Sequence, residues 1–161
     1  MANTCSNDII FQGKDVSKIK SMIAEAIETN KVDGWLPKSL DVSKLDYPHY
    51  LFDVTIYDEG DDFVSIQCWT KWSPPIIELE HIGKEMQINI TCIYEELGCE
   101  LYGQSEYDFE NDCTNIIELD QNDFARVQYD DENDTYSFDG VEIESDNIAY
   151  AEMLDNKLQM K

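Results

Sequence analysis

The sequence predicts one α+β domain: an antiparallel sheet with helices on one face, followed by an acidic C-terminal extension built from a β-hairpin and a helix. Three observations predict it. Short stretches of strict apolar/polar alternation are interspersed with stretches whose apolar residues recur every three to four positions, so strands and amphipathic helices are both present. The two kinds of stretch do not alternate one for one, which favours α+β over a doubly wound parallel sheet. Hydrophobic residues make up 42% and aromatics 11% of 161 residues. That is enough apolar material for a packed core, despite a formal net charge of −24.

Residues 5–12, Cys-Ser-Asn-Asp-Ile-Ile-Phe-Gln, read as a strand ending at Gly13. Val16, Ile19, Met22, Ile23, Ala26 and Ile27 then share one helical face, with Asp15 placed to cap, so a helix is expected over about 15–30. Residues 33–50, broken by Pro37 and Pro48, read as a loop with one short helical turn. Phe52, Val54 and Ile56 alternate with Asp53, Thr55 and Tyr57 as a half-buried strand. Glu59-Gly60-Asp61-Asp62 makes a turn, and residues 63–72 return as the second arm of a hairpin. Ser73 is placed as an N-cap and Pro74-Pro75 suit a first turn, with Ile76, Leu79, Ile82 and Met86 as the buried stripe of the second helix.

Ile88, Ile90, Cys92 and Tyr94 alternate as a strand; Glu95-Glu96-Leu97-Gly98 turns, and residues 99–107 return. Residues 108–112 are a charged connection, and Ile116, Ile117 and Leu119 mark a short strand. Residues 124–129 and 135–138 read as a hairpin around residues 130–134, and Ser145 as the cap of a last helix through Ile148, Ala151, Leu154 and Leu158. The opening β-α-β-β-α-β order is that of the ferredoxin-like split βαβ fold. Residues 1–161 are thus expected to be a single domain, with 1–107 as ferredoxin-like core and 108–161 as acidic extension. Beyond this pseudo-symmetry no internal repeat is read, and no low-complexity tract.

Charge is distributed unevenly. Residues 1–50 hold six basic and seven acidic side chains, and residues 51–161 hold five and twenty-eight. Phosphate neutralisation needs Lys and Arg, so direct binding to nucleic acid is not expected. Nor is binding to an anionic membrane. The expected partners are cationic: a basic protein groove, a polyamine or a divalent ion. Cys5, Cys68, Cys92, Cys99 and Cys113 show neither C-x-x-C nor zinc spacing, and each reads as a free, small, buried hydrophobe in a reducing cytosol. Residues 1–30 lack a leader's apolar run, and no stretch approaches the ~20 apolar residues of a membrane span. A cytoplasmic protein without cofactor is expected.

Three stretches taken in order resemble a known family: Met1-Ala2-Asn3-Thr4-Cys5-Ser6-Asn7, Trp69-Thr70-Lys71-Trp72-Ser73-Pro74-Pro75, and Tyr94-Glu95-Glu96-Leu97-Gly98-Cys99-Glu100-Leu101-Tyr102-Gly103. They resemble the Api92-like (YubB-type) ferredoxin-like family of phages, plasmids and integrated elements, over roughly residues 1–107. The Trp-Thr-Lys-Trp-Ser-Pro-Pro run is the most specific part. The resemblance implies a compact ferredoxin-like domain on a mobile element, with no iron–sulfur cluster and no catalytic residues to carry over.

Trp69, Trp72, Pro74 and Pro75 read as packing residues, in or near the core, that set the approach angle of the second helix. No calcium-loop register fits the acids at 130–134: from Asp131, Glu142 reaches position twelve but Tyr136 takes the sixth place, and from Asp130 the twelfth is Val141. His49 and His81 read as surface or cap residues, and no G-x-S-x-G, phosphate loop or dinucleotide fingerprint is present. Between residues 95 and 155 there are 20 Asp+Glu and one basic residue, Arg126. The candidate partner-binding set is Glu100, Glu106, Asp108, Glu110, Asp112, Glu118, Asp120, Asp123, Asp130, Asp131, Glu132 and Asp134. Rigid strands and turns would hold these carboxylates at fixed spacing, as duplex DNA holds one phosphate charge per ~1.7 Å of axis. The expectation is a non-enzymatic nucleic-acid mimic that fills the basic groove of a host defence nuclease, of anti-CRISPR or anti-restriction type. The alternative is an accessory module whose acidity serves solubility or weak divalent-cation binding.

Overall fold

The computed structural model describes residues 3–14 and 16–160, with the backbone alone over 29–33. β1 (Thr4–Gln12), α1 (Val16–Asp33), β2 (Phe52–Glu59), β3 (Phe63–Lys71), α2 (Ile76–Met86) and β4 (Asn89–Glu96) follow in that order. In space the strands run β2-β3-β1-β4, each pair antiparallel. This is the ferredoxin-like arrangement: each helix crosses over a neighbouring strand, and the gap left between β1 and β2 is filled by β3.

The core lies between this sheet and the two helices. Cys5, Asn7, Ile9 and Phe11 of β1 face the same side as Val64, Ile66, Cys68 and Thr70 of β3 and Ile90, Cys92 and Tyr94 of β4, and all are buried. α1 covers them with Val16, Ile19, Ile23 and Ala26, one stripe at helical spacing. Asp15, expected to cap α1, lies outside the described residues. α2 contributes Leu79 and Ile82, and at Gly83 it lies against Tyr107, whose ring would be 2.2 Å from any added Cβ.

Ser73 does not cap α2. The helix begins two residues later than such a cap requires, with Pro75 as N-cap and no side-chain acceptor there. His49, expected at the surface or as a cap, is instead half-buried, with Ser73 Oγ 2.8 Å from its Nε2.

The sheet continues beyond these four strands before the extension leaves it. β5 (Leu101–Asp108) and β6 (Cys113–Glu118) pair onward from β4, giving six strands in the order β2-β3-β1-β4-β5-β6. α3 (Gln121–Phe124), β7 (Val127–Asp130), β8 (Thr135–Phe138), β9 (Val141–Ile143) and α4 (Asp146–Gln159) complete the chain, with β7-β8-β9 forming a second, three-stranded sheet. Phe124 closes the short α3 and does not open the hairpin strand as expected. A second core joins Tyr102, Leu119, Phe124, Ala149, Tyr150, Met153 and Leu154. Tyr102 faces away from its β5 neighbour Gly103, which pairs with Tyr94, and its ring lies 5.8 Å from Tyr150. α4 therefore covers the sheet face opposite to α1 and α2. Its inward face is Ala149, Tyr150, Met153 and Leu154, whereas Ile148 and Ala151, expected inside, are exposed.

Three further expectations are corrected. Ile56 is 39% exposed, because β2 is an edge strand whose register against β3 shifts twice. Trp69 and Trp72, expected to pack in or near the core, are 39% and 57% exposed. Trp69 sits on the sheet face away from α1 and α2, and Trp72 follows β3 at a φ of 71°, while Thr70, Pro74 and Pro75 are the buried members of that run. Cys5, Cys68 and Cys92 are buried, and burial pushes the Cys5 thiol up to about 12. Cys99 and Cys113 are exposed, one in the short turn between β4 and β5 and the other at the start of the edge strand β6. Among the described residues, no helix is long and apolar enough to cross a membrane.

Candidate functional site

The acidic residues are fixed in place by local hydrogen bonds. The tip of the β5–β6 hairpin and that of β7–β8 carry one motif, Tyr-Asp-x-Glu-Asn-Asp, at residues 107–112 and 129–134. In the first, Asp108 Oδ1 accepts the amides of Glu110 (2.9 Å) and Asn111 (3.3 Å), and its Oδ2 accepts Asn111 Nδ2 (2.6 Å). In the second, Asp130 Oδ1 accepts Glu132 (2.9 Å) and Asn133 (3.2 Å), and its Oδ2 accepts Asn133 Nδ2 (2.8 Å). The last Asp of each takes left-handed backbone, Asp112 at φ 47° and Asp134 at φ 54°, and accepts the phenol of the leading Tyr, Tyr107 at 3.1 Å and Tyr129 at 2.7 Å. Four-residue hairpin loops of this kind rest on an Asx turn, which Asp serves by accepting backbone amides. The Asn side-chain bond comes first among the causes that hold both Asp108 and Asp130 below the ordinary Asp value. The repeat, not recognised in the sequence, is thus a structural unit used twice.

The other acids are placed as follows. Asp120 caps α3 by accepting Asn122 (2.8 Å) and Asp123 (3.3 Å), while Asp123 Oδ2 accepts the Asp120 amide (2.9 Å), a capping box. Glu118 accepts the buried Tyr94 phenol at 2.7 Å, and Gly103 leaves the space in which they meet. Burial first, and this carboxylate second, raise the Tyr94 phenol far above its ordinary value. Glu106 accepts Gln104 Nε2 at 2.7 Å. It faces the side that α4 covers further along, whereas Glu118 faces the side of α1 and α2. Glu100 follows the short β4–β5 turn at φ 51°. The twelve acids are therefore ordered but do not share a single face.

Few of them meet a cation. Lys84 reaches Asp112 at 3.2 Å, and Lys157 reaches Asp120 at 3.4 Å and Asp123 at 2.5 Å. Arg126, the one basic residue between 95 and 155, is held by Asp139 through two bonds of 2.6 and 3.1 Å. Among the described residues, Glu100, Glu106, Asp108, Glu110, Glu118, Asp130, Asp131, Glu132 and Asp134 have no cation at ion-pair distance. Asp130, Asp131, Glu132 and Glu142, with Tyr129 and Tyr136, line an open concavity of about 630 Å³ on the small sheet. Asp139 and Glu142 were absent from the expected set, because β9 was not read in the sequence. Among the described residues, no group of three or more His, Cys, Asp or Glu is disposed to hold a metal ion.

Sheet order and surface together define a class: a ferredoxin-like α+β domain with a strongly anionic extension. The family described as "Ferredoxin-like domain in Api92-like protein" matches residues 51–139, more than half of the chain, and the chain belongs to that family. The matched span opens at β2 and closes after β8. It leaves β1 and α1 outside and includes both acidic tips, so it sits further along the chain than the 1–107 suggested by the three stretches. No curated protein and no solved structure matches the chain.

Proposed function

We propose that this chain is an acidic binding protein of a phage or mobile element that acts on its target by occupancy, with no catalytic step in that action, in the cytoplasm of the host. Its ordered carboxylates take the place of nucleic-acid phosphates in the basic groove of a defence nuclease, such as a CRISPR effector or a restriction enzyme. The observation that supports this most is the hydrogen-bonded rigidity of the two acidic tips, whose charges are presented with little neutralisation. An anionic array held in advance loses little entropy on docking. It also gains fast, salt-sensitive association by steering.

The test uses a purified nuclease with a basic groove and reads protection of its substrate. Replacing Asp130, Asp131, Glu132 and Asp134 by Lys should abolish inhibition while circular dichroism stays native, and inhibition by the original chain should weaken steeply with added salt. Inhibition that survives the reversal removes the proposal. The other reading, acidity for solubility and turn formation, is favoured by Asp108, Asp120 and Asp130, each already committed to a turn or a cap. Absence of inhibition across restriction and CRISPR nucleases would support it.

A further inference from the structure

A polar relay lies where the loop before β2 meets the start of α2, in a part of the molecule that the acidic tips do not use. Glu78, on the first turn of α2, is 1% exposed. Its Oε1 accepts the His49 backbone amide at 2.6 Å and lies 3.4 Å from His49 Nδ1. A carboxylate at ion-pair distance favours the tautomer with the ring proton on Nδ1, which leaves the lone pair of Nε2 toward Ser73. Ser73 Oγ, 2.8 Å from Nε2, is then the donor. Both Ser73 and His49 line a cavity of about 540 Å³ with Tyr47, Pro48, Lys71 and Trp72.

We propose that Ser73 is an activated nucleophile, with His49 as its general base and Glu78 as the positioning residue behind it, acting on small apolar esters. A hydroxyl, an imidazole with fixed tautomer and a buried carboxylate, in that order, are the parts of a serine acyl-transfer site. Two independent observations favour this over a purely structural pin. Glu78 Oε2 is buried without a partner among the described residues, a cost that packing alone would remove but that an imidazolium formed during reaction would offset. Trp72, directly before Ser73, holds a bulky side chain at φ 71°, backbone strain of the sort that collects at reactive sites.

In the reaction, Ser73 Oγ attacks the acyl carbon and its proton passes to His49 Nε2. The C–O bond to the alcohol breaks, and the leaving alkoxide takes that proton. Water then attacks the acyl carbon and gives a proton to Nε2; the bond from that carbon to Ser73 Oγ breaks, Oγ takes the proton back from Nε2, and the carboxylic acid leaves. The walls of Tyr47, Pro48 and Trp72 suit an alkyl or aryl group. The Ser73 amide is already bonded to the Lys71 carbonyl at 2.9 Å and residue 74 is proline, so neither backbone nitrogen is free to donate to the developing oxyanion, and the Lys71 ammonium lies over the Phe52 ring, 5.5 Å from its centroid. Each missing backbone donor costs ~10²–10³ in rate, so the site is slow and is best read as covalent capture.

The full chain is incubated with an alkyl fluorophosphonate, in which Oγ–P forms, fluoride leaves and His49 takes the proton, and the adduct is mapped by mass spectrometry. The expected result is one adduct on Ser73, absent in Ser73→Ala and slowed ~10²-fold or more in His49→Gln. Glu78→Gln should slow labelling while leaving the melting temperature unchanged or higher, since it removes a buried, half-satisfied charge. A structural pin would lose stability together with reactivity. No adduct on Ser73, or equal labelling of His49→Gln, overturns the proposal. The charge-reversal variant of the 130–134 tip should label normally, so the two proposals stand or fall separately.

Discussion

The hairpin tip at residues 108–112 and the one at 130–134 share their motif and their hydrogen bonds, yet the leading Tyr107 is 5% exposed and the leading Tyr129 is 49% exposed. Tyr107 reaches into the main core against Gly83, and its tip is tied down by Lys84 on Asp112 and by Asn89 Oδ1 on the Phe109 amide. Tyr129 stays on the open small sheet, where its ring pairs with that of its hairpin partner Tyr136, centroids 4.9 Å apart, and its phenol bonds Asp134 of its own tip. Local sequence therefore builds the turn, and the neighbouring elements decide whether its residues become core or surface. An acidic tip needs no tertiary support to be ordered, which is what lets the second one stand free.

The sharpest way to break this comparison is truncation of the two tyrosines. Tyr107→Ala should cost about 3–5 kcal/mol in denaturant unfolding, as for other buried aromatics. Tyr129→Ala should leave the midpoint nearly unchanged, and equal losses would mean that both tips belong to one core. Next comes Gly83→Ala. The new methyl displaces the Tyr107 ring, with an expected loss of about 1–3 kcal/mol from overpacking. Proton exchange should then quicken at the first tip and not at the second.

A pH titration tests what the tips share. Asp108 and Asp130 are both held below 3.8 in the folded chain, so the stability they contribute is full above that value and is lost as pH falls through their lower folded values. Asp8 and Glu95, raised first by burial on the other side of the sheet from α1, act with the opposite sign: their ionisation weakens the fold as pH rises through their raised values. NMR titration should find Asp108 and Asp130 moved together, and an ordinary value at either would show that its Asx bonds are not kept in solution. The smallest effect is expected for Phe109→Asp, which gives the first tip the residues of the second. Stability should change by no more than about 0.5 kcal/mol, as read from thermal melts.

Most of the fold was legible because alternation and helical spacing are local signals. Ile88, Ile90, Cys92 and Tyr94 announce β4, and all four are buried. Two elements were missed although their marks are present: the Asp120/Asp123 pair of a capping box before α3, and Asp139-Gly140, both at positive φ, the two-residue turn that adds β9. The exposure of Ile56 was not legible, because it depends on irregular pairing at an edge. The face taken by α4 was not legible either, because it follows from which side of β5 Tyr102 occupies. At the candidate site, the twelve acids were chosen by charge alone, and their separate faces were hidden from any one-dimensional reading. His49, Ser73 and Glu78 carry no local signature at all, since only the folded chain brings them together.

β1 lies between β3 and β4, with Thr4 opposite Lys71 and Ser6 opposite Glu95. During synthesis β1 therefore cannot be paired on both sides until the residues through Glu95 have left the ribosome. The small sheet, whose strands are neighbours in sequence, can zip as it is made. Long loops must close before the former pairs, so its formation is the expected slow step of folding. Until then the first strand waits unpaired in the cell, and this is the interval in which the molecule is most exposed to chaperones and to proteolysis.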